Sequence, residues 1–147
     1  MEVIYADEGI RVIELSELYQ EHYDELSVTK EFQMDPNYDA FDRLQDAGML
    51  RVITCRVDGA LAGYIVFVIQ PHTHYKTCIT AFEDAYFISK PYRKGRIGIK
   101  LFQYAEGVLK GIGVNRIIYG TKVHSDNSRL FEYLGYKHTD KVYSKLI

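Results

Sequence analysis

The stretch of residues 85–102 places the strongest constraint on the fold of this chain. Residues 85–88 (Ala-Tyr-Phe-Ile) are apolar and aromatic, which is typical of a strand covered on both faces. Pro91 cannot continue a central ladder, so the strand must end before it. From Ile97 onward the apolar residues recur every three or four positions, and this period predicts a helix over residues 96–112. A buried strand, a turn and an amphipathic helix therefore follow one another directly.

The turn between this strand and helix is basic and contains two glycines. It lies at a helix N-terminus, where the first backbone N–H groups have no intrahelical partner and the macrodipole is positive, so anions bind there. Neither the G-x-G-x-x-G dinucleotide fingerprint nor the Gly-Lys-Ser/Thr ending of a triphosphate loop is present. The pattern predicts a pyrophosphate-binding loop made of Arg93, Lys94, Gly95, Arg96, Ile97 and Gly98.

Length and charge limit the classes of protein that the chain can belong to. Its 147 residues predict one domain, residues 1–147. A formal net charge of -2 argues against a nucleic-acid binder, and no apolar run is long enough to span a bilayer, so we expect neither nucleic acid nor membrane as a partner. Cys55 and Cys78 lie in predicted interior strands, where reduced thiols are the expected state, and this favours a cytoplasmic protein.

Hydrophobic periodicity predicts alternating helices and strands along the chain. Asp58 and Gly59 separate two β-rich runs and predict a tight hairpin. A strand, helix and strand over residues 77–122 predict parallel pairing with a right-handed crossover. The predicted strands cover residues 1–6, 50–57, 60–69, 77–88, 114–122 and 136–147, and the predicted helices cover residues 15–26, 35–48, 96–112 and 126–134.

Two neighbouring carboxylates interrupt the otherwise apolar central strand. Glu83 and Asp84 should point to opposite faces of that strand, so only one of them can face a given cavity. A carboxylate in a central strand is costly unless it is paired, hydrated or part of a functional site. One of the two therefore either belongs to a catalytic site, pairs with a basic side chain across the sheet, or faces the solvent rim.

Two histidines follow the predicted strand over residues 60–69, and such a pair can belong to a metal site. His72 and His74 are close in sequence, but no cysteine or carboxylate with matching spacing accompanies them. We therefore predict no metal site.

Two segments of the sequence resemble the signatures of the GNAT superfamily of N-acetyltransferases. The first is Gln/Arg-x-x-Gly-x-Gly/Ala, in which Arg93 matches the first position and Gly98 the last, while Arg96 replaces the middle glycine. The second is a block that ends in Gly-Phe, where His124 occupies an asparagine position and Phe131 a tyrosine position. In detail, residues 83–84, 92–96 and 120–124 are most similar to small GNAT proteins of phages and prophages.

The resemblance implies an α/β (α+β) GNAT fold. Its mixed central sheet would have six or seven strands, splayed at the two parallel central strands and flanked by about four helices. It also implies acetyl-CoA as acyl donor, with the pyrophosphate held by residues 93–98. The strand edge at Phe87, Ile88 and Ser89 would pair with pantetheine and offer a backbone N–H to the developing oxyanion.

The activity implied is direct transfer of an acetyl group to the amine of a small molecule or a peptide, and a homodimer is compatible with the family. Glu83 or Asp84 would take the proton from the amine. Phe131 cannot protonate the departing thiolate as the family's tyrosine does. His124 could do so instead, or it is a structural histidine at a strand end.

The sequence is also compatible with two other classes of protein. Phe131 is consistent with a binding module that keeps the acyl-CoA site without catalysis. The departure from the glycine pattern is consistent with an unrelated α/β nucleotide or phosphate binder.

Overall fold

A mixed sheet of mostly antiparallel strands forms the centre of the fold. The structure is a computed structural model that describes residues 1–27 and 30–147. In these residues five strands lie in the order β1-β2-β3-β4-β5. They are β1 (Val3–Ala6), β2 (Leu50–Val57), β3 (Ala60–His72), β4 (Tyr75–Ile88) and β5 (Arg116–Ile118). Neighbours from β1 to β4 pair antiparallel, whereas β4 and β5 pair parallel, as the sequence predicted.

Four α-helices connect and flank the strands in the described residues: α1 (Tyr19–Leu26), α2 (Tyr38–Asp46), α3 (Ile97–Gly111) and α4 (Ser128–Tyr133). Short 3-10 helices cover Val12–Leu18 and Lys90–Tyr92. The first runs directly into α1, so the single helix predicted over residues 15–26 consists of two segments. The helix predicted over residues 35–48 begins only at Tyr38, and Asn37 caps it, since its Oδ1 accepts the Ala40 N–H at 3.0 Å.

The sheet separates two hydrophobic clusters. One lies on the side of α3 and α4 and has Phe67, Leu101 and Leu109 near its centre. The other lies on the side of α1 and α2 and is built on Val12, Leu15, Val52, Tyr64 and Val66. Because β2 and β3 contribute to both clusters, their sequences read as nearly continuous apolar runs.

Two hairpins join β2 to β3 and β3 to β4, and local sequence explains features of both. Asp58 and Gly59 have φ values of 49° and 87°, which confirms the predicted tight turn between β2 and β3. The next hairpin is longer than predicted, because β3 continues to His72 and β4 begins at Tyr75. Pro71 lies beside a register shift in this hairpin, a position at which a strand tolerates proline.

The prediction of six or seven strands was wrong, since the sheet has five. Residues 136–147 form no strand, and the alternating Val142 and Tyr143 are 92% and 86% exposed. Alternation stabilises a strand only when one of its faces is buried, and here neither face is.

β5 is also shorter than the predicted strand over residues 114–122. After Ile118 the chain turns away from β4, and Lys122 and Ser125 form an isolated bridge. The Thr121 hydroxyl oxygen accepts the Asn127 N–H at 2.8 Å and closes this loop. No helix in the described part of the chain combines the length and apolar character needed to cross a membrane.

Candidate active site

A cavity lies where β4 and β5 separate. The two strands pair only between residues 80–82 of β4 and Arg116–Ile118 of β5, although β4 continues to Ile88. The edge of β4 from residue 83 onward therefore lies beyond its pairing with β5. The cavity has a volume of about 790 Å³ and extends from this edge to the space beneath α1 and α2. This volume is in the range of small-molecule sites.

Both strand carboxylates line this cavity although they lie on opposite sides of β4. Asp84 is the extra residue of a β-bulge in β4, and its charge acts on Tyr64 on the α1 side of the sheet. The charge of Glu83 acts on Tyr86 on the α3 side. The cavity lies at the edge of β4 beyond its pairing with β5, so both side chains reach it, and the expectation that only one of them could face a given cavity was wrong.

The environment of Glu83 favours its neutral form. Burial and, to a smaller extent, the adjacent Asp84 carboxylate raise the pKa of Glu83 to about 7, with Lys122 acting in the opposite direction. Burial also raises the pKa of Asp84, whose side chain meets the open cavity but is surrounded by protein atoms on its other sides. A carboxyl group with a pKa near neutral pH can both accept and return a proton.

A hydrogen-bonded pair of ring side chains forms the cavity wall beneath α1. His22 Nδ1 and the Tyr64 hydroxyl are 2.6 Å apart, and the His22 ring stacks on Phe87 with centroids 4.7 Å apart. Burial lowers the pKa of His22 to about 4 and raises that of Tyr64 far above its usual value. At neutral pH both members of the pair are therefore uncharged.

On the opposite side of the sheet, Tyr86 presents a phenol at the edge of the cavity. Its hydroxyl accepts a hydrogen bond from Asn127 Nδ2 at 3.2 Å. Its ring packs edge-on against Phe102 and Phe131. Burial raises the pKa of Tyr86, and hydrogen bonds with Thr121 and Asn127 act against this rise.

The predicted anion-binding turn forms as expected from its sequence. Gly95 has a φ of 61°, a left-handed value that favours glycine, and α3 begins two residues later at Ile97. A Cβ atom on Gly98 would lie 3.3 Å from Ile88 Cδ1, so the first turn of α3 packs tightly against the end of β4. The free N–H groups of this helix terminus are thus held in a fixed position beside the strand.

Two carboxylates of α1 hold this turn in place. The Glu25 carboxylate binds the Arg93 guanidinium through two hydrogen bonds of 2.6 Å, and the same guanidinium donates from Nε to the Ile88 carbonyl at 2.6 Å. Glu21 accepts from the Ser89 hydroxyl at 2.9 Å and from the Lys90 N–H at 3.1 Å. These contacts therefore bind α1, which forms part of the cavity wall, to the turn that precedes α3.

A model of the acetyltransferase (GNAT) family matches residues 13–136. The match spans most of the chain, including the carboxylate pair and the turn before α3. The chain belongs to the GNAT family of acetyltransferases.

Solved structures of low sequence identity share the fold of this GNAT protein. A transcriptional regulator from Bacillus halodurans C-125 has a TM-score of 0.80 at 18% identity, with 99% of this chain and 100% of that chain covered. An aminoglycoside acetyltransferase from an uncultured soil metagenomic sample, in complex with sisomicin, has a TM-score of 0.70 at 12% identity, with coverage of 99% and 96%. A predicted acetyltransferase from Clostridium acetobutylicum, with acetyl-CoA, has a TM-score of 0.70 at 11% identity, with coverage of 99% and 95%. No curated protein sequence matches this chain.

The family assignment confirms part of what the sequence predicted. The GNAT resemblance, the α+β fold with four helices and the class of acetyltransferase are confirmed, and GNAT enzymes use acetyl-CoA as their acyl donor. The similarity to phage and prophage members stays a prediction. So does the homodimer.

The structure places the predicted site residues in two groups. Glu83 and Asp84 line the cavity, whereas residues 93–98 lie at the α3 N-terminus outside it. Between them, the Phe87 side chain is buried beneath His22, Ile88 packs towards α3, and Ser89 is buried against Glu21. His124 is not brought to the cavity: its ring is exposed and its Nε2 lies 3.3 Å from the Glu25 carbonyl oxygen. Among residues 1–27 and 30–147, no group of three or more potential metal ligands is arranged to bind an ion.

Sequence reasoning missed the His22–Tyr64 pair and Tyr86. Signals for the first pair were present, because His22 lies on the apolar face of a predicted helix and Tyr64 lies within a buried strand. A polar ring at such a position usually has a buried hydrogen-bond partner. Nothing in the sequence indicates which partner, since 42 residues separate the two side chains.

Proposed function

We propose that this GNAT protein is an acetyl-CoA-dependent N-acetyltransferase that moves an acetyl group to a primary amine by direct transfer in a ternary complex. The observation that carries the proposal is the half-buried Glu83 carboxyl group, which lines the cavity where β4 and β5 separate and whose pKa is raised to about 7 by burial and by Asp84. Residues 1–147 would act as one domain. The two free cysteines, of which Cys55 is buried, fit a reducing and therefore cytoplasmic location.

The residues at the start of α3 fit the diphosphate of the acyl donor. The helix N-terminus supplies unpaired N–H groups and a positive dipole, and Lys94 and Arg96 are exposed cations beside it. Gly98 leaves no side chain between the N-terminal turn and the end of β4. The Arg93 guanidinium is already bound by Glu25, so its part is to hold the turn. When bound, acetyl-CoA supplies a thioester as the acetyl source.

Ile88 is the residue of β4 that fits an oxyanion-binding role. The Ser89 N–H is not available, because it donates to the Ala62 carbonyl of β3 at 2.9 Å. The Ile88 carbonyl faces away from β3, since it accepts from the Arg93 side chain. The N–H and C=O of one strand residue point to the same side, so the Ile88 N–H also faces the free edge.

The carboxylate pair fits the handling of the amine. An alkylammonium group with a pKa of about 10.4 must lose a proton before its nitrogen can attack. Asp84 would hold the ammonium group, and Glu83 would accept its proton directly or through a water molecule. The amine nitrogen then bonds to the acetyl carbon, the carbon–sulfur bond breaks, and the sulfur leaves with its electron pair. The nitrogen gives up its second proton, which passes through solvent to the thiolate sulfur.

Tyr86 fits the role of stabilising the sulfur that leaves. A thiol has a pKa of about 8.5, well below the raised pKa of this buried phenol, so complete proton transfer from Tyr86 would be uphill. A hydrogen bond from its hydroxyl would stabilise the thiolate without such transfer. Phe131 packs against the same ring and has no hydroxyl of its own.

The test is product formation with isotopically labelled acetyl-CoA and a panel of amines. We expect amine-dependent release of free thiol, with one labelled acetyl group on the acceptor nitrogen. A protein that binds acetyl-CoA but never forms product would instead be the non-catalytic acyl-CoA-binding module, the alternative that Phe131 favours. The third alternative, an unrelated nucleotide binder, loses its support because the family model spans residues 13–136.

A further inference from the structure

The cavity has a strongly apolar wall on the side away from the α3 N-terminus. Side chains of the first 3-10 helix, α1, α2 and β3 form this wall, among them Val12, Leu26, Phe41, Leu44 and Val66. Val12 and Val66 are 1% and 2% exposed, so they belong to the rigid core of the fold. The wall is therefore a fixed apolar surface.

The charged side chains that line the cavity are mostly acidic. Glu83 and Asp84 are adjacent on β4, and Asp35 adds a third carboxylate from the segment before α2. Among the lining residues that the structure describes, Lys122 is the one cationic side chain. His22 is neutral at physiological pH, because burial lowers its pKa to about 4. The adjacent carboxylates Glu83 and Asp84 are thus complementary to one cationic group of a ligand.

Two hydroxyls within the apolar wall have partners inside the protein. The Tyr64 hydroxyl pairs with His22, and the Tyr19 hydroxyl donates to the Val12 carbonyl at 2.8 Å. These two hydroxyls have little capacity left for the hydroxyls of a sugar. Against the part of the wall formed by Phe41 and Leu44, a hydroxyl-rich acceptor would lose its hydration without gaining hydrogen bonds, which is costly.

We propose that the acceptor is an amine with an apolar body, such as an alkylamine or arylalkylamine, rather than a polycationic sugar. Its ammonium group would lie at Glu83 and Asp84, and its hydrocarbon part would lie against Phe41, Leu44 and Val66. This inference rests on the proposed function. It differs from the substrate class of the soil aminoglycoside acetyltransferase, whose fold this chain shares.

A homologous series of unbranched amines from ethylamine to hexylamine tests the proposal. Their basicities are nearly equal, so differences in kcat/KM report contacts with the hydrocarbon chain. We expect kcat/KM to rise by about fourfold for each added methylene until the cavity is filled. Phenethylamine should exceed ethanolamine, and sisomicin should be a poor acceptor. A flat series, or preference for ethanolamine or sisomicin, would overturn the proposal while leaving N-acetylation intact.

Ala40→Phe adds a test within the cavity, since Ala40 lines it from α2. The added ring should lower kcat/KM for hexylamine by about tenfold or more and change that for ethylamine much less. Ala47→Phe is the matched control, because Ala47 is exposed at the end of the same helix and does not line the cavity. Equal effects of Ala40→Phe on the two amines would contradict the assignment of the wall.

A binding measurement tests the apolar amine site even if the protein has no N-acetyltransferase activity. If no amine is acetylated, the same amines are compared by thermal shift in the full chain. Stabilisation that increases with chain length and is abolished by Ala40→Phe would still support the apolar amine site. Stabilisation that does not depend on length, or its absence, would overturn it.

Discussion

At the scale of single residues, two adjacent carboxylates on β4 determine the chemistry of the site. Glu83 and Asp84 line one cavity, and the Asp84 carboxylate adds to the cost of ionising Glu83 that burial imposes. A cationic amine bound between them would lower that cost. The site therefore binds its proposed ligand most strongly when both carboxylates are ionised, and Glu83 is the one that gains a proton near neutral pH.

The raised pKa of Glu83 has a consequence for stability. Its folded-state pKa of about 7 lies above the usual 4.5, so between these values the folded protein binds more protons than the unfolded chain. Its contribution to stability is present below pH 4.5 and is lost as the pH rises through about 7. Glu83→Gln removes this loss. Relative to wild type, its free energy of unfolding should rise by roughly 3 kcal/mol between about pH 4 and about pH 8.

Urea unfolding at the two pH values measures this difference. Glu132→Gln is the control, because Glu132 is an exposed carboxylate on α4 and its replacement should not alter the pH dependence. A Glu83→Gln protein whose stability relative to wild type is the same at both pH values would show that Glu83 is ionised without cost.

The role of Tyr86 leads to a second prediction at this scale. Tyr86→Phe keeps the ring that packs on Phe102 and Phe131 and removes the hydroxyl. Turnover should fall by roughly tenfold to a hundredfold, as expected for the loss of a hydrogen bond to a developing charge, with unchanged affinity for acetyl-CoA. Steady-state kinetics and calorimetry measure the two quantities. His124→Ala is the comparison, and a large loss there with a fully active Tyr86→Phe would return the acid role to His124.

At the scale of elements, α3 and α1 act together. The N-terminus of α3 offers the anion site, and α1 holds the preceding turn through Glu21 and Glu25 while also forming the wall above Tyr64. Since one helix contacts both parts, the donor and acceptor sites share a rigid support. Such support keeps reacting groups in a fixed relation to each other.

Gly98→Asp tests the anion site. The new Cβ meets only the flexible end of Ile88, and an acidic residue in the first turn is favourable for the helix itself, so the fold should persist. The carboxylate would repel the diphosphate, and affinity for acetyl-CoA should fall at least about tenfold, or about 1.4 kcal/mol. Calorimetry measures the affinity. Gly107→Asp is the matched control in open space on the same helix, and equal affinities of the two variants would remove the α3 N-terminus from the site.

At the scale of the whole molecule, the sequence predicts local features better than distant ones. The turn before α3 and the Asp58–Gly59 hairpin were predictable, because glycine, proline and apolar period specify them within a few residues. The bulge at Asp84 depends on the register with β3, and the Glu25–Arg93 pair joins side chains 68 positions apart. The strand over residues 136–147 was predicted from alternation alone, and alternation does not show whether a partner face exists.

The pH dependence of amine-dependent thiol release in wild type and Glu83→Gln tests most directly whether this carboxylate accepts the amine's proton. In wild type, kcat/KM should rise through an inflection near the Glu83 pKa of about 7. Glu83→Gln should lose that inflection and fall by roughly 10²–10⁴-fold at neutral pH. Part of this loss should be recovered at high pH, where solvent supplies the free amine. Full turnover of Glu83→Gln with the wild-type profile between about pH 6 and about pH 9 would contradict the mechanism.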